Sequence, residues 1–225
     1  MLDRFGAVIP AYNEAAHIAG VVRRVSEMIP PSNIVVVDDG STDGTAEAAE
    51  DAGVRVLRNP GNLGKGTSLA AGYGLMLERE GIEGIFTLDA DGQHDPAEMP
   101  RFIEPFRNRH ADLVIGSRMA DTRGMPLIRR MTNRLTSAVI SHRAGCRIDD
   151  TQSGYRLIRS SLLRGMTLVT KRFDTESEIL IRASRRGAMI VSVPVRTIYG
   201  DERSKIHPLK DTCRFLRLVI RSFFW

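Results

Sequence analysis

A chain of 225 residues, 42% hydrophobic and 26% charged, is long enough for one sizeable α/β core and too well balanced for extended disorder. A formal charge of +5 admits nucleic acid, anionic lipid or phosphorylated small molecules as partners without choosing among them. Two cysteines, Cys146 and Cys213, are too few for a disulfide framework and lack metal-site spacing, so a reducing, cytoplasmic setting is expected.

No basic start followed by a long apolar stretch marks a signal peptide, and no run reaches the roughly 18–20 apolar residues of a bilayer span. Short β-branched runs at Phe5–Ile9, Ile34–Val37, Val54–Leu57, Ile85–Leu88 and Leu113–Ile115 read as buried strands. Helical patterns separate them at 14–28, 44–52, 65–79 and 97–107, with Asp43 and Asp95-Pro96 as start signals. The alternation predicts a mostly parallel sheet covered on both faces. Farther on, an arginine-rich helix is expected over 126–144, a turn at 151–154, a helix over 175–186, a strand over 189–195 and a final amphipathic helix over 208–225. One domain over 1–207 followed by that helix is the expected organisation.

Ligands of such sheets gather at the carboxyl ends of the strands. Four polar loops fall there: Pro10-Ala11-Tyr12-Asn13-Glu14, Asp38-Asp39-Gly40-Ser41, Asn59-Pro60-Gly61-Asn62 and Asp89-Ala90-Asp91. If the last of these continues the strand, Asp89 and Asp91 share a face and can converge on one hard cation, Mg²⁺ or Mn²⁺, bridging to a diphosphate. Gln93 and His94 offer a neutral ligand nearby. Asp39 can hold a ribose hydroxyl or a base N–H, while Gly40 permits a tight turn and Asp43 caps the next helix. Gly61-Asn62-Leu63-Gly64-Lys65 lacks the spacing of a phosphate loop. Lys65 at a helix N-terminus can nevertheless meet a phosphate, or simply be an exposed lysine in a turn.

VIPAYNE, VVVDDGSTDGT, NLGKGTSLAAGY, LDADGQHDP, GSR and DDTQSGYRL follow one another in this order between Val8 and Leu157, within a likeness that covers about residues 5–205. Together they resemble family 2 glycosyltransferases, in the branch acting on dolichyl or polyprenyl phosphate. The resemblance implies a GT-A, Rossmann-like fold and inverting transfer from a GDP- or UDP-sugar. It places Pro10, Tyr12, Glu14 and Asp39 at the nucleotide, and Asp89, Ala90, Asp91 and Gln93 at the metal and diphosphate. Arg203-Ser204-Lys205 resembles the family's mobile arginine and Ser-Lys segment, which would close over the diphosphate and exclude water.

Seven arginines and one acid lie between Arg118 and Arg147. Arg130 and Arg134 share a helix face, and with Arg118 they can hold an acceptor phosphate through planar forks. A phosphate acceptor needs no protein base; a hydroxyl acceptor would, and Asp150 is the candidate. In the last helix, Arg214, Arg217 and Arg221 oppose a largely apolar remainder ending in Phe223-Phe224-Trp225. That pattern suits a membrane surface at the cytoplasmic face, a core contact or a homo-oligomer contact. A sugar nucleotidyltransferase would open with a glycine-rich loop at the first strand, which VIPAYNE lacks. A nucleic-acid-binding module would interleave exposed aromatics with its basic residues, and aromatics make up only 6%.

Overall fold

The computed structural model describes residues 1–120, 122, 127–169, 175–196 and 198. Strands β1 (Phe5–Ala11), β2 (Ile34–Asp38), β3 (Arg55–Arg58), β4 (Gly84–Thr87), β5 (Leu113–Ser117), β6 (Arg156–Arg159) and β7 (Ile190–Pro194) form one sheet in the order β3-β2-β1-β4-β6-β5-β7. The pairs β1–β2, β1–β4, β2–β3 and β5–β7 are parallel, and only β6 runs antiparallel to its neighbours β4 and β5. The five early strands and the strand near 190 stand where the apolar runs predict them. Strand β6 is an addition. Its sequence, Arg-Leu-Ile-Arg, offers two apolar residues between charges, too short a signal to read as a strand, yet Arg156, Leu157 and Ile158 are all buried.

The helices are α1 (Ile18–Ser26), α2 (Thr45–Asp51), α3 (Lys65–Leu77), α4 (Pro100–Asn108), α5 (Leu127–Ala144), α6 (Ser160–Arg164) and α7 (Thr175–Arg185). Helix α1 buries Ile18, Val21, Val22 and Val25, the i, i+3, i+4, i+7 stripe of an amphipathic helix. It starts four residues later than the apolar periodicity suggests. The amides of residues 13–15 bond instead to the loop after β2: Asn13 to Ser41 Oγ, Glu14 to Thr45 Oγ1 and Ala15 to Asp43 Oδ2.

Side chains of each central strand alternate between two cores. Phe5, Ile9, Phe86 and Tyr155 face one side with α1 and α4, where Phe102 and Phe106 complete an aromatic cluster. Val8, Ile85 and Ile158 face the other with Leu69, Tyr73 and Leu180 from α3 and α7. Both faces are covered, so the polar side chains collect where the chain leaves the strands. The segments holding Arg203, Ser204 and Lys205 and the C-terminal helix over 208–225 lie outside the described residues.

Candidate functional site

Beyond β4 the chain stops being a strand. Asp89, Ala90 and Asp91 sit on a turn, so the alternation of an extended segment does not govern their side chains, and the expected strand continuation is corrected here. Asp91 Oδ1 accepts the Gln93 N–H at 3.0 Å, which shapes the turn. Asp89 turns inward. Its Oδ1 lies 2.6 Å from Lys65 Nζ, and the same ammonium lies 2.6 Å from Glu176 Oε1. Burial by itself would push the Asp89 carboxyl up, but Lys65 and then His94 hold it well below the usual carboxylate range. The charge of Lys65 is stabilised in turn: burial opposes it, yet Asp89 and Glu176 raise its pKa. Lys65 is thus half-buried between two carboxylates rather than an exposed lysine in a turn.

The turn is braced from three sides. The Asp89 N–H donates to His94 Nδ1 at 3.0 Å, so the imidazole is neutral with its proton on Nε2. Burial lowers the His94 pKa to about 4; Asp89 opposes the shift, and the nearby Arg118 and Lys65 add to it. With Nδ1 engaged, His94 holds the turn. The Tyr155 ring stacks on His94 at 5.1 Å, and its hydroxyl donates to the Asp95 carbonyl. Past β7, the Ile198 N–H donates to the Gln93 carbonyl at 3.0 Å, bringing the chain back to the turn just before residue 199.

The loop after β2 serves the loop after β3. Asp39 is 4% exposed and accepts from Asn59 Nδ2, Leu63 N–H and Gly64 N–H at 2.8, 3.0 and 2.8 Å. That network anchors the start of α3 and hence Lys65. Three donors already sit on the buried Asp39 carboxylate, so it anchors this loop whatever it contributes to a ribose or a base. A Cβ added at Gly40, whose φ is 76, would stand 2.5 Å from the Gly61 backbone, so only glycine lets the two loops touch. Pro10 is buried and lines a small cavity with Lys65, Tyr73, Thr87, Gly154 and Glu176. Tyr12 is exposed at the rim, and Glu14 lies half-buried with Oε2 3.0 Å from His17 Nδ1.

On the acceptor side, Asp150 is fully buried. It takes Arg118 Nε and Nη2 at 2.8 and 3.0 Å in a two-pronged pair and also accepts from Asn133 Nδ2 at 2.8 Å. Burial would raise the Asp150 pKa, but Arg118 and Asn133 lower it. The structure thus sets Asp150, expected as a general base, and Arg118, expected as a phosphate fork, against each other in a buried ion pair. Their pair ties β5 to α5. Arg134 is exposed and Arg130 half-buried on α5. The same helix leaves Leu127, Met131 and Leu135 exposed at 73%, 70% and 67%, four residues apart in a single stripe.

Three participants escaped the sequence reading. Glu176 reads as an ordinary acid in the first turn of a helix; Tyr155 and Arg156 enter only within the DDTQSGYRL motif, with no role of their own. Arg156, 1% exposed, donates to the carbonyls of Ser153, Thr151 and Glu176 and so fixes the start of α7 beside Lys65. None of these has a local signal, since each is defined by a neighbour distant in sequence.

Asp89, Asp91 and Gln93 offer oxygen donors, the chemistry that Mg²⁺ and Mn²⁺ prefer. Among the described residues no three of His, Cys, Asp and Glu converge on one cation position. A cation that arrives on a diphosphate requires only one or two carboxylates from the protein, so the donor set fits such an ion.

Glycosyl transferase family 2 matches residues 7–166. An undecaprenyl-phosphate mannosyltransferase of Micrococcus luteus is 36% identical over 84% of this chain and 81% of its own. A UDP-N-acetylglucosamine–dolichyl-phosphate N-acetylglucosaminyltransferase of Methanococcus voltae is 33% identical over 86% of this chain and 85% of its own. Among solved structures, glucosyl-3-phosphoglycerate synthase from Mycobacterium tuberculosis, in complex with Mn²⁺, UDP-glucose and phosphoglyceric acid, superposes with a TM-score of 0.70 at 22% identity, covering 97% of this chain and 77% of that one. A likeness at that identity speaks to the fold, here a GT-A, Rossmann-like sheet. The sequence matches, together with a braced carboxylate turn at the carboxyl edge of a parallel sheet, place this chain in glycosyl transferase family 2.

Proposed function

We propose that this chain transfers a sugar from a GDP- or UDP-sugar to a polyprenyl or dolichyl phosphate, with inversion at the anomeric carbon and with Mg²⁺ or Mn²⁺ at the donor diphosphate. The observation that carries the donor half is the Asp89–Gln93 turn. It sits at the carboxyl end of β4 and is braced by His94, Tyr155 and the Ile198 amide. Asp89, Asp91 and Gln93 would hold the cation. Bound there, it would neutralise the departing nucleoside diphosphate. Pro10, Tyr12 and Glu14, at the end of β1, line the nucleotide side, and Lys65 faces the diphosphate.

The acceptor half rests on two features of this chain. Asp150, the one carboxylate singled out as a base for a hydroxyl acceptor, is committed to Arg118. A phosphate monoester with a second pKa of about 6 is already anionic near neutral pH and attacks without a base. One of its oxygens bonds to the anomeric carbon as the bond from that carbon to the donor diphosphate breaks, and the bonding pair leaves with the nucleotide. Second, the exposed Leu127–Met131–Leu135 stripe lies on the helix that carries Arg130 and Arg134. Apolar residues beside arginines suit a surface that meets acyl chains and anionic headgroups. Peripheral seating on the cytoplasmic face of a membrane is part of the proposal, and that pairing supports it. No described helix is long and apolar enough to cross a membrane. Arg203, Ser204 and Lys205 follow Ile198 by five to seven residues, a tether of at most about 25 Å, and are proposed to close over the diphosphate.

The test is Asp91→Ala. Thermal-shift screening of GDP- and UDP-sugars with Mn²⁺ identifies the stabilising donor in the parent. The variant is expected to keep the parent's melting temperature, lose cation-dependent nucleotide binding and lose transfer to polyprenyl phosphate. Normal turnover in that variant, or faster transfer to a free hydroxyl than to the lipid phosphate, overturns the proposal.

A further inference from the structure

The Lys65 ammonium lies 2.6 Å from a carboxylate oxygen of Asp89 and 2.6 Å from one of Glu176. Glu176 is 6% exposed, and its second oxygen, Oε2, is buried with no hydrogen-bond partner among the described residues. An orphaned carboxylate oxygen in so closed a place is expensive unless a charge beside it compensates. Lys65 is that charge. Gly154 closes the cluster from the loop before β6: a Cβ there would stand 2.8 Å from both Asp89 oxygens and 3.0 Å from Lys65 Nζ. Arg156, which bonds the Glu176 carbonyl, keeps that residue from moving away.

Asp89 belongs to the turn assigned to the donor's cation, yet here its carboxylate is satisfied by a lysine. Glu176 sits on the far side of that lysine and has no other cation within hydrogen-bonding distance among the described residues. We infer that Lys65 is a placeholder cation on Asp89, and that Glu176 is a positioning residue which retains the lysine when Asp89 is given up. In the empty site Lys65 neutralises Asp89 and holds its side chain in register. As the donor diphosphate enters, Asp89 exchanges its lysine for the donor's cation. Lys65 pivots between Glu176 and the phosphate oxygens, so no carboxylate is left buried without a partner at any stage. Cation and nucleotide then bind together because each offsets a charge that the other uncovers. This inference rests on the donor-site reading above.

The experiment measures Mn²⁺ uptake by the nucleotide-free protein, from the loss of the free Mn²⁺ electron paramagnetic resonance signal. Removing a ligand's neighbour should here tighten metal binding. Lys65→Met is expected to raise Mn²⁺ affinity by about fivefold or more, the lower end of ordinary site-to-site coupling, while weakening metal-free nucleoside diphosphate binding. Glu176→Gln leaves the lysine to Asp89 alone and is expected to lower Mn²⁺ affinity. In the Lys65→Met background the same Glu176→Gln change should have little further effect, because a residue that acts through the lysine is silent without it. That double variant also removes both buried charges together, so it keeps the test open if Lys65→Met alone folds poorly. Mn²⁺ affinity that is unchanged or weaker in both lysine variants overturns the placeholder role. An equal loss from Glu176→Gln with and without Lys65 overturns the positioning role, leaving a plain charge effect. A parent that takes up no Mn²⁺ even with nucleotide overturns the donor-site reading along with it. Normal nucleotide-dependent uptake in the parent confines any failure to this inference.

Discussion

Replacing Asp150 by asparagine separates a structural strut from a catalytic base. Asp150 is fully buried, pairs with Arg118 through two bonds of 2.8 and 3.0 Å, and accepts a third from Asn133. Asparagine keeps the volume but removes the charge and turns one oxygen into a donor facing the Arg118 donors. Breaking one side of a buried pair leaves the other charge uncompensated, a loss of about 3–5 kcal/mol. For a chain of this length each kcal/mol moves the melting temperature by roughly 2–4 °C, so the drop should be on the order of 6–20 °C. The sign with pH follows from the lowered Asp150 pKa. Its stabilisation is complete above the unfolded aspartate value of about 3.9 and is lost as pH falls through the lower folded value. The gap between parent and variant should therefore stay level from about pH 5 to 8 and narrow only below about pH 4. Scanning calorimetry across that range, with kcat measured beside it at a temperature where both are folded, is the assay. A variant that melts within about 2 °C of the parent but has lost turnover would falsify the strut and restore Asp150 as a base.

Two further outcomes follow from the site. Gly154→Ala places a methyl group 2.8 Å from both Asp89 oxygens. It should weaken donor binding by about tenfold or more, about 1.4 kcal/mol, and calorimetric titration with the stabilising nucleotide checks this. Changing Leu127, Met131 and Leu135 together to serine removes an exposed stripe that supports no core. The melting temperature should hold while sedimentation with anionic vesicles, and transfer to long-chain but not short-chain prenyl phosphate, falls by about tenfold if each lost contact contributes even a few tenths of a kcal/mol. Equal losses on both chain lengths would place the stripe outside the acceptor path.

What the amino-acid sequence by itself determined is the scaffold and the edge at which its polar loops gather. Runs such as Ile34–Val37 and Ile85–Leu88 are apolar on both faces, which only a sheet covered on both sides can bury, and the helices between them make the strands parallel. Polar loops then have one place to gather. Ordered motifs along the chain were enough to show the family. Tertiary structure decided how each polar side chain is spent. Asp39 and Asp150 look like ligands in sequence, because a carboxylate near a strand end is compatible with both catalysis and anchoring. Which it does depends on the donors that fold against it: the amides of Leu63 and Gly64 for Asp39, and Arg118 and Asn133 for Asp150. Lys65 and Glu176 are more than a hundred residues apart and carry no shared pattern, yet they meet at 2.6 Å. Strand β6 was hidden for the same reason, its short apolar pair becoming a strand only because β4 and β5 offer it hydrogen bonds on both sides. Hydrophobic periodicity is written locally and survives in the sequence, whereas the pairing of charges is a property of distance in space, and distance exists only once the chain has folded.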